Sequence, residues 1–181
     1  SIRKYRSRVS QKVQDAIGAQ IYAELWSAYR CLSMSMDAAD KGLKGVANWF
    51  YVQWKEEQDH AQIFINYLQS RGARVVLAPI AEVRTEWNSV LEMYEETLKH
   101  EKVVTSLINN LANIAAEERD HATANMLIWF VDEQIEEEES ARDIIDQLNL
   151  IEGNKLGLYM LDKEFQTRTY TQASPLTTAA E

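Results

Sequence analysis

Apolar residues recur at spacings of three and four along four long stretches of this chain, the period of a helix with one buried face. The first stretch runs from about Ser10 to Asp40 and stops at Lys41-Gly42. The second runs from about Leu43 to Ser70 and stops at Arg71-Gly72, where glycine suits a left-handed helix end. The third opens at Ser89-Val90-Leu91-Glu92, which reads as a capping box, and continues to Glu117. The fourth spans about His121 to Leu148. A shorter fifth element is expected from Lys155 to about Phe165, and the Thr/Ala-rich end, about 169–181, reads as a frayed tail.

The connections set the topology. The first and second helices, and the third and fourth, are joined by short links, so each pair forms an antiparallel hairpin. The link from Gly72 to Asn88 is long, contains Pro79 and has little helical period beyond a possible turn near Ile80. A second helix of about 28 residues is roughly 42 Å long. Roughly 17 extended residues reach at most about 56–61 Å, enough to return the chain along the whole bundle. The expected fold is all-α: a four-helix bundle, about 10–148, with one long crossover between helices two and three and a short fifth helix.

Composition agrees. With 6 Gly and 2 Pro in 181 residues, the chain lacks the turns that a sandwich or barrel needs, and one domain is the natural expectation. No apolar run reaches the roughly 18 residues of a membrane span. The net charge of −9 argues against a nucleic-acid partner, because that affinity comes from Lys and Arg on phosphates. The basic start, Arg3, Lys4, Arg6 and Arg8, is read as a solvated first turn. A single cysteine, Cys31, forms no internal disulfide and fits a cytoplasmic protein.

Acids interrupt the apolar stripes. The inward positions of the first helix read Ile17, Ile21, Glu24, Ala28, Cys31, and those of the second Phe50, Gln53, Glu57, His60, Phe64, Tyr67. The third gives Val90, Tyr94, Leu98, Glu101, Ile108, and the fourth Leu127, Phe130, Gln134, Glu137, Ala141, Ile144. A carboxylate inside a bundle is costly unless paired or bound to metal. Glu57 and His60, three apart, share a helix face and can grip one ion. A mixed carboxylate and imidazole set suits iron or manganese better than zinc, and a bridging Glu57 can hold two ions together.

These residues resemble the non-haem ferritins of prokaryotes. The resemblance covers about Val9 to Phe165 and rests on Ala23-Glu24-Leu25-Trp26-Ser27, Glu56-Glu57-Gln58-Asp59-His60, Lys99-His100-Glu101, Glu133-Gln134-Ile135-Glu136-Glu137-Glu138 and Gly157 to Glu164. It implies a ferroxidase centre in which Glu24, Glu57 and His60 hold one iron and Glu57, Glu101 and Glu137 the second, with Gln134 lining the site. It also implies a third iron position at Glu56, Glu133, Glu136 and Glu137. The implied chemistry is oxidation of Fe(II) by dioxygen or peroxide, with mineral stored in an octahedral cage of 24 identical subunits. The fifth helix would line the fourfold contacts through Leu158, Tyr159, Leu161 and Phe165. A di-iron or di-manganese oxidase or peroxidase on the same bundle, or a passive iron-buffering cage, is the alternative.

Two departures stand out. The fourth helix reads Gln134-Ile135-Glu136-Glu137, without a second Glu-x-x-His, which argues against bacterioferritin and predicts a weaker second site. Cys31 stands where the family usually has a Tyr, seven residues after the first Glu, and Tyr29 points about 140° away. Buried cysteine is usually inert packing. His100 is expected on another face, and His121 in a capping region or lining a threefold pore. Met34, Met36 and Trp49, Trp54, Trp87 and Trp129 are read as packing, so no haem is expected.

Overall fold

The computed structural model describes residues 7–177. Among them there are helices and no strands: α1 Gln11–Asp40, α2 Lys44–Ser70, α3 Val90–Glu117, α4 His121–Ile151, α5 Lys155–Phe165 and a short α6 Ser174–Thr177. Arg3, Lys4 and Arg6 lie outside the described residues. No helix among the described residues is long and apolar enough to cross a membrane.

The helix ends follow local chemistry. Ser10 Oγ accepts from the Val13 amide (3.2 Å), and Asp120 Oδ1 from the Thr123 amide (3.1 Å), each filling an orphan donor of a first turn. Ser89 caps α3 through the Glu92 amide (3.0 Å), but Glu92 reaches back to the amide of Asn88 (3.1 Å), one residue before the expected partner. α4 runs three residues beyond Leu148, because Ile151 still packs on the core. Glu152 (φ 47°) and Gly153 (φ 77°) then turn left-handed and end it.

The crossover, 71–89, holds no helical turn near Ile80. It runs beside α1 from end to end. Gln14 Nε2 donates to the Arg74 carbonyl (3.2 Å), the Ala81 amide to Tyr22 Oη (3.3 Å), Ser33 Oγ to the Arg84 carbonyl (2.7 Å), and the Trp87 amide to Asp37 Oδ2 (3.1 Å). These side chains satisfy an extended backbone that has no ladder of its own. α1 pairs with α2, α3 with α4, and the crossover lets the two hairpins close a bundle.

Two apolar cores fill it. One gathers Ile17, Ile21, Phe64, Ile108, Leu127 and Phe130; the other gathers Cys31, Met34, Phe50, Tyr94, Ile144 and Phe165. Between them lies a buried polar layer of Glu24, Gln53, Glu57, His60, Glu101 and Gln134. Trp49 and Trp87 are buried core anchors, Trp54 and Trp129 partly so, and Met34 is buried while Met36 is exposed.

The apolar face of α5 is covered within its own subunit. Leu161 and Phe165 are buried and Leu158 packs partly on the same core, leaving Leu156, Tyr159 and Met160 exposed instead. Docking is close: Asp162 Oδ1 accepts from the Val46 amide (2.9 Å), and a Cβ on Gly45 would sit 1.6 Å from the Asp162 carbonyl oxygen. Gly45→Ala is expected to cost about 3 kcal/mol or to detach α5, read as a lower thermal unfolding midpoint. An unchanged midpoint contradicts this docking.

The end of the chain is seated rather than frayed as far as Thr177. Tyr170 Oη and the Ala173 amide both donate to Asp59 Oδ2 (2.6 and 3.0 Å), and Trp129 Nε1 donates to Ser174 Oγ (3.1 Å). Ala173 and Leu176 pack on the first core. This strap crosses the open face between α2 and α4. Residues 178–181 lie outside the described residues.

Candidate metal centre

Each of the four long helices contributes to the polar layer at mid-height. Glu24 comes from α1, Glu57 and His60 from α2, Glu101 from α3, and Gln134 with Glu137 from α4. Buried apolar residues on either side along each stripe, such as Ile21 and Ala28 about Glu24 or Phe130 and Ala141 about Glu137, fix that helix face toward the axis, so the carboxylates are carried inward with the core.

His60 Nδ1 lies 3.3 Å from Glu57 Oε2 and 3.6 Å from Glu24 Oε2. Glu24 Oε2 is buried without a hydrogen-bond partner. An orphaned carboxylate oxygen facing an imidazole nitrogen is what a cation between them would satisfy. Among the described residues three groups place ligand atoms within 4.8 Å of one another: Glu24, Glu57 and His60; Glu57, Glu101 and Glu137; and His60, Glu133 and Glu137. Glu57 is common to the first two.

Four carboxylate oxygens of the site are held by side-chain amides. Gln20 Nε2 donates to Glu24 Oε1 (3.0 Å), and Gln53 Nε2 to Glu57 Oε1 (3.1 Å) and Glu137 Oε2 (2.9 Å). Gln134 Nε2 donates to Glu101 Oε2 (3.2 Å) and to the Glu101 carbonyl (3.1 Å). Gln20 and Gln53 each sit one turn before a site carboxylate. A Gln-x-x-x-Glu spacing on an otherwise apolar stripe was the available signal for them.

Glu133 and Glu137 join His60, whereas Glu56 is turned onto Arg168 and Glu136 is exposed. All four acids line one recess of about 300 Å³ with Trp49, Gln53, Ser140 and Arg168. A second recess, about 350 Å³, opens beside His60 under strap residues Thr171 to Ser174.

Burial governs the electrostatics. It pushes Glu24 up to about 7 and Glu101 up to about 8, the latter helped by the charge of Glu57. It raises Glu137 too, with Glu101 and Glu57 adding to it. Burial opposes ionisation of Glu57, but hydrogen bonds from His60 and its neighbours hold it at about 2. For His60, burial is outweighed by Glu24 and Glu57, which raise it. The layer thus holds protons that a metal must displace.

The other candidate residues fall elsewhere. His100 is turned off the site, packed on Trp26 (5.2 Å between rings) and bonded to Ser27 Oγ. His121 is exposed at the start of α4. Cys31 is buried in the second core, where burial pushes its thiol up and keeps it protonated, an inert state. Burial, with Arg30, lowers His100 to about 4. From pH 6.5 down to about 4 the unfolded chain binds a proton that the folded one refuses, so this histidine costs stability as pH falls. The loss is expected to reach about 2 kcal/mol by pH 5 and to disappear in His100→Asn, measured by unfolding at pH 7 and pH 5.

Known proteins resemble this chain along most of its length. The ferritin-like domain family matches residues 14–151. The chain belongs to the ferritin family. It is 38% identical over 160 residues to a bacterial non-heme ferritin of Bacteroides fragilis, covering 88% of this chain and 99% of that one. A bacterial non-heme ferritin of Staphylococcus saprophyticus is 33% identical, over 91% of this chain and 99% of its own. Among solved structures, an open pore ferritin from the hyperthermophilic archaeon Archaeoglobus fulgidus superposes with a TM-score of 0.88 at 44% identity, over 89% of this chain and 99% of that one. The ferritin four-helix bundle is thus the fold of this chain, and the family match ends where α4 ends, leaving α5 and the strap beyond it.

Proposed function

We propose that this ferritin is an iron-storage ferroxidase, with Fe(II) as its substrate. Glu24, Glu57 and His60 hold one ion, and Glu57, Glu101 and Glu137 the second, with Glu57 bridging. Gln134 lines the second position and orients Glu101. The observation that carries this reading is the convergence of two three-residue groups on the shared Glu57 inside one subunit.

The redox step is simple in its balance. Each of two Fe(II) gives up one electron, and dioxygen takes both electrons with two protons to leave as hydrogen peroxide. With peroxide as oxidant, the O–O bond breaks, two further protons enter and two waters leave. The protein supplies the fixed geometry and the acids that give up protons as ions bind. Glu56, Glu133, Glu136 and Glu137 form the acidic path by which ferric ion leaves, with a third transient position. The mineral collects inside a 24-subunit octahedral cage in the cytoplasm. The exposed Leu156, Tyr159 and Met160 of α5 are apolar surface that neighbouring subunits cover.

The test is Fe(II)-dependent oxygen uptake. Rapid uptake is expected in the natural protein and absent in a Glu57→Ala, His60→Ala double variant. Equal uptake in both makes the chain a passive container. Rapid uptake without a closed shell and mineral makes it a di-iron or di-manganese oxidase instead.

A further inference from the structure

Gln53 is buried to 1% exposure one turn before Glu57. Its Nε2 donates to Glu57 on its own helix and to Glu137 on α4, so one amide group spans two of the three carboxylates of the second ion position. An amide can present either its oxygen or its nitrogen, and something must decide which. Arg168 does: its Nη2 donates to Gln53 Oε1 (2.9 Å). A guanidinium only donates, so it takes the amide oxygen, and carboxylates that accept are left the NH₂.

Arg168 is itself over-determined. Nη2 also donates to Glu56 Oε2 (2.8 Å), Nη1 donates to the Trp49 carbonyl (2.9 Å), and the guanidinium lies 4.2 Å from the centre of the Trp49 ring. Asn48 Nδ2 donates to the Arg168 carbonyl (2.9 Å), fixing the backbone that carries it. A planar fork serving three acceptors and a ring face is a placement that lysine does not reproduce.

We infer that Arg168 is a positioning residue for the second ion: from the strap it locks the Gln53 amide, and Gln53 in turn sets Glu57 and Glu137. The inference rests on the ferroxidase reading, since it needs the two-ion site. Outer partners that orient ligands are worth about 10–100-fold in metal affinity.

Anaerobic calorimetric titration of the full chain with Fe(II) tests it. Arg168→Ala is expected to bind the second ion, which loses the setting of both Glu57 and Glu137, about 10–100-fold more weakly, and the first ion, which shares only Glu57, by a smaller factor. Gln53→Leu is expected to do the same, and the double variant to lose less than about threefold more than Gln53→Leu alone, because the arginine acts through the amide. Gln53→Leu also serves as the comparison should the strap variant misfold. An unchanged second affinity in Arg168→Ala overturns the inference, as does an additive loss in the double variant. A third ion gained by Arg168→Ala at unchanged second affinity also overturns it, making Arg168 a stand-in cation on Glu56. A natural protein that takes no pair of ions sinks the ferroxidase reading itself, a result separate from all of these.

Discussion

Glu57→Ala is expected to take up neither ion tightly, while Glu101→Ala keeps one. The difference follows from membership: Glu57 lies in both candidate groups and Glu101 in one. Loss of a direct ligand should exceed the roughly 10–100-fold that outer partners cost. In Glu57→Ala the Gln53 amide loses an acceptor and His60 loses its nearest carboxylate, at 3.3 Å, so the first position is also disordered. Anaerobic Fe(II) titration reads the outcome as stoichiometry: two per subunit for the natural protein, one for Glu101→Ala and none for Glu57→Ala. Equal stoichiometry in the two variants contradicts a shared bridge.

The second large effect concerns the metal-free fold. It should lose stability as pH rises from about 5.5 to 9. Unfolded, the carboxyl groups of Glu24 and Glu101 release their protons near 4.5; folded, burial holds them to about 7 and about 8. Between those limits the folded chain keeps protons that the unfolded chain has lost, so each step up in pH favours unfolding, and the loss is complete above about 8. His60, raised by its carboxylates, acts in the same direction as it deprotonates, and Glu57, held at about 2, is ionised throughout the window. The two carboxyl groups contribute on the order of 5 kcal/mol, and His100, which costs about 1 kcal/mol at pH 5.5, leaves a net loss on the order of 4 kcal/mol. Glu101→Gln should flatten the dependence, because a neutral amide has nothing to release. Anaerobic Fe(II) at about 100 times its dissociation constant should restore about 3 kcal/mol at pH 8. A metal-free protein equally stable at pH 5.5 and 9 contradicts a buried carboxylate layer.

Much of this was legible in the residues alone, and the reason is periodicity. A run such as Ile17, Ile21, Glu24, Ala28, Cys31 declares its own face, so the acid within it had to point inward. Gly42 and Gly72 marked helix ends, and the length of the 71–89 link forced a crossover, because a short link cannot span a helix of that size. What stayed hidden depends on contacts between distant segments. The tail reads as loose because Thr and Ala carry no period, yet Asp59 and Trp129 supply the partners that seat it. Arg168 lies 115 positions from Gln53, and no spacing rule links a strap to a core amide. The face of α5 could not be assigned from its own pattern either: whether Leu161 and Phe165 meet a neighbouring subunit or their own α2 turns on the Gly45–Asp162 approach. Glu56 shows the same limit, since the resemblance to non-haem ferritins implies a third-position acid there while a residue far along the chain takes its carboxylate.

The most direct measurement is a crystal soaked anaerobically in Fe(II), with anomalous scattering recorded at the iron edge. Two peaks per subunit are expected in the buried layer, one bounded by Glu24, Glu57 and His60, the other by Glu57, Glu101 and Glu137. Iron found only on exposed acids, with the Glu57 carboxylate untouched, would contradict the account.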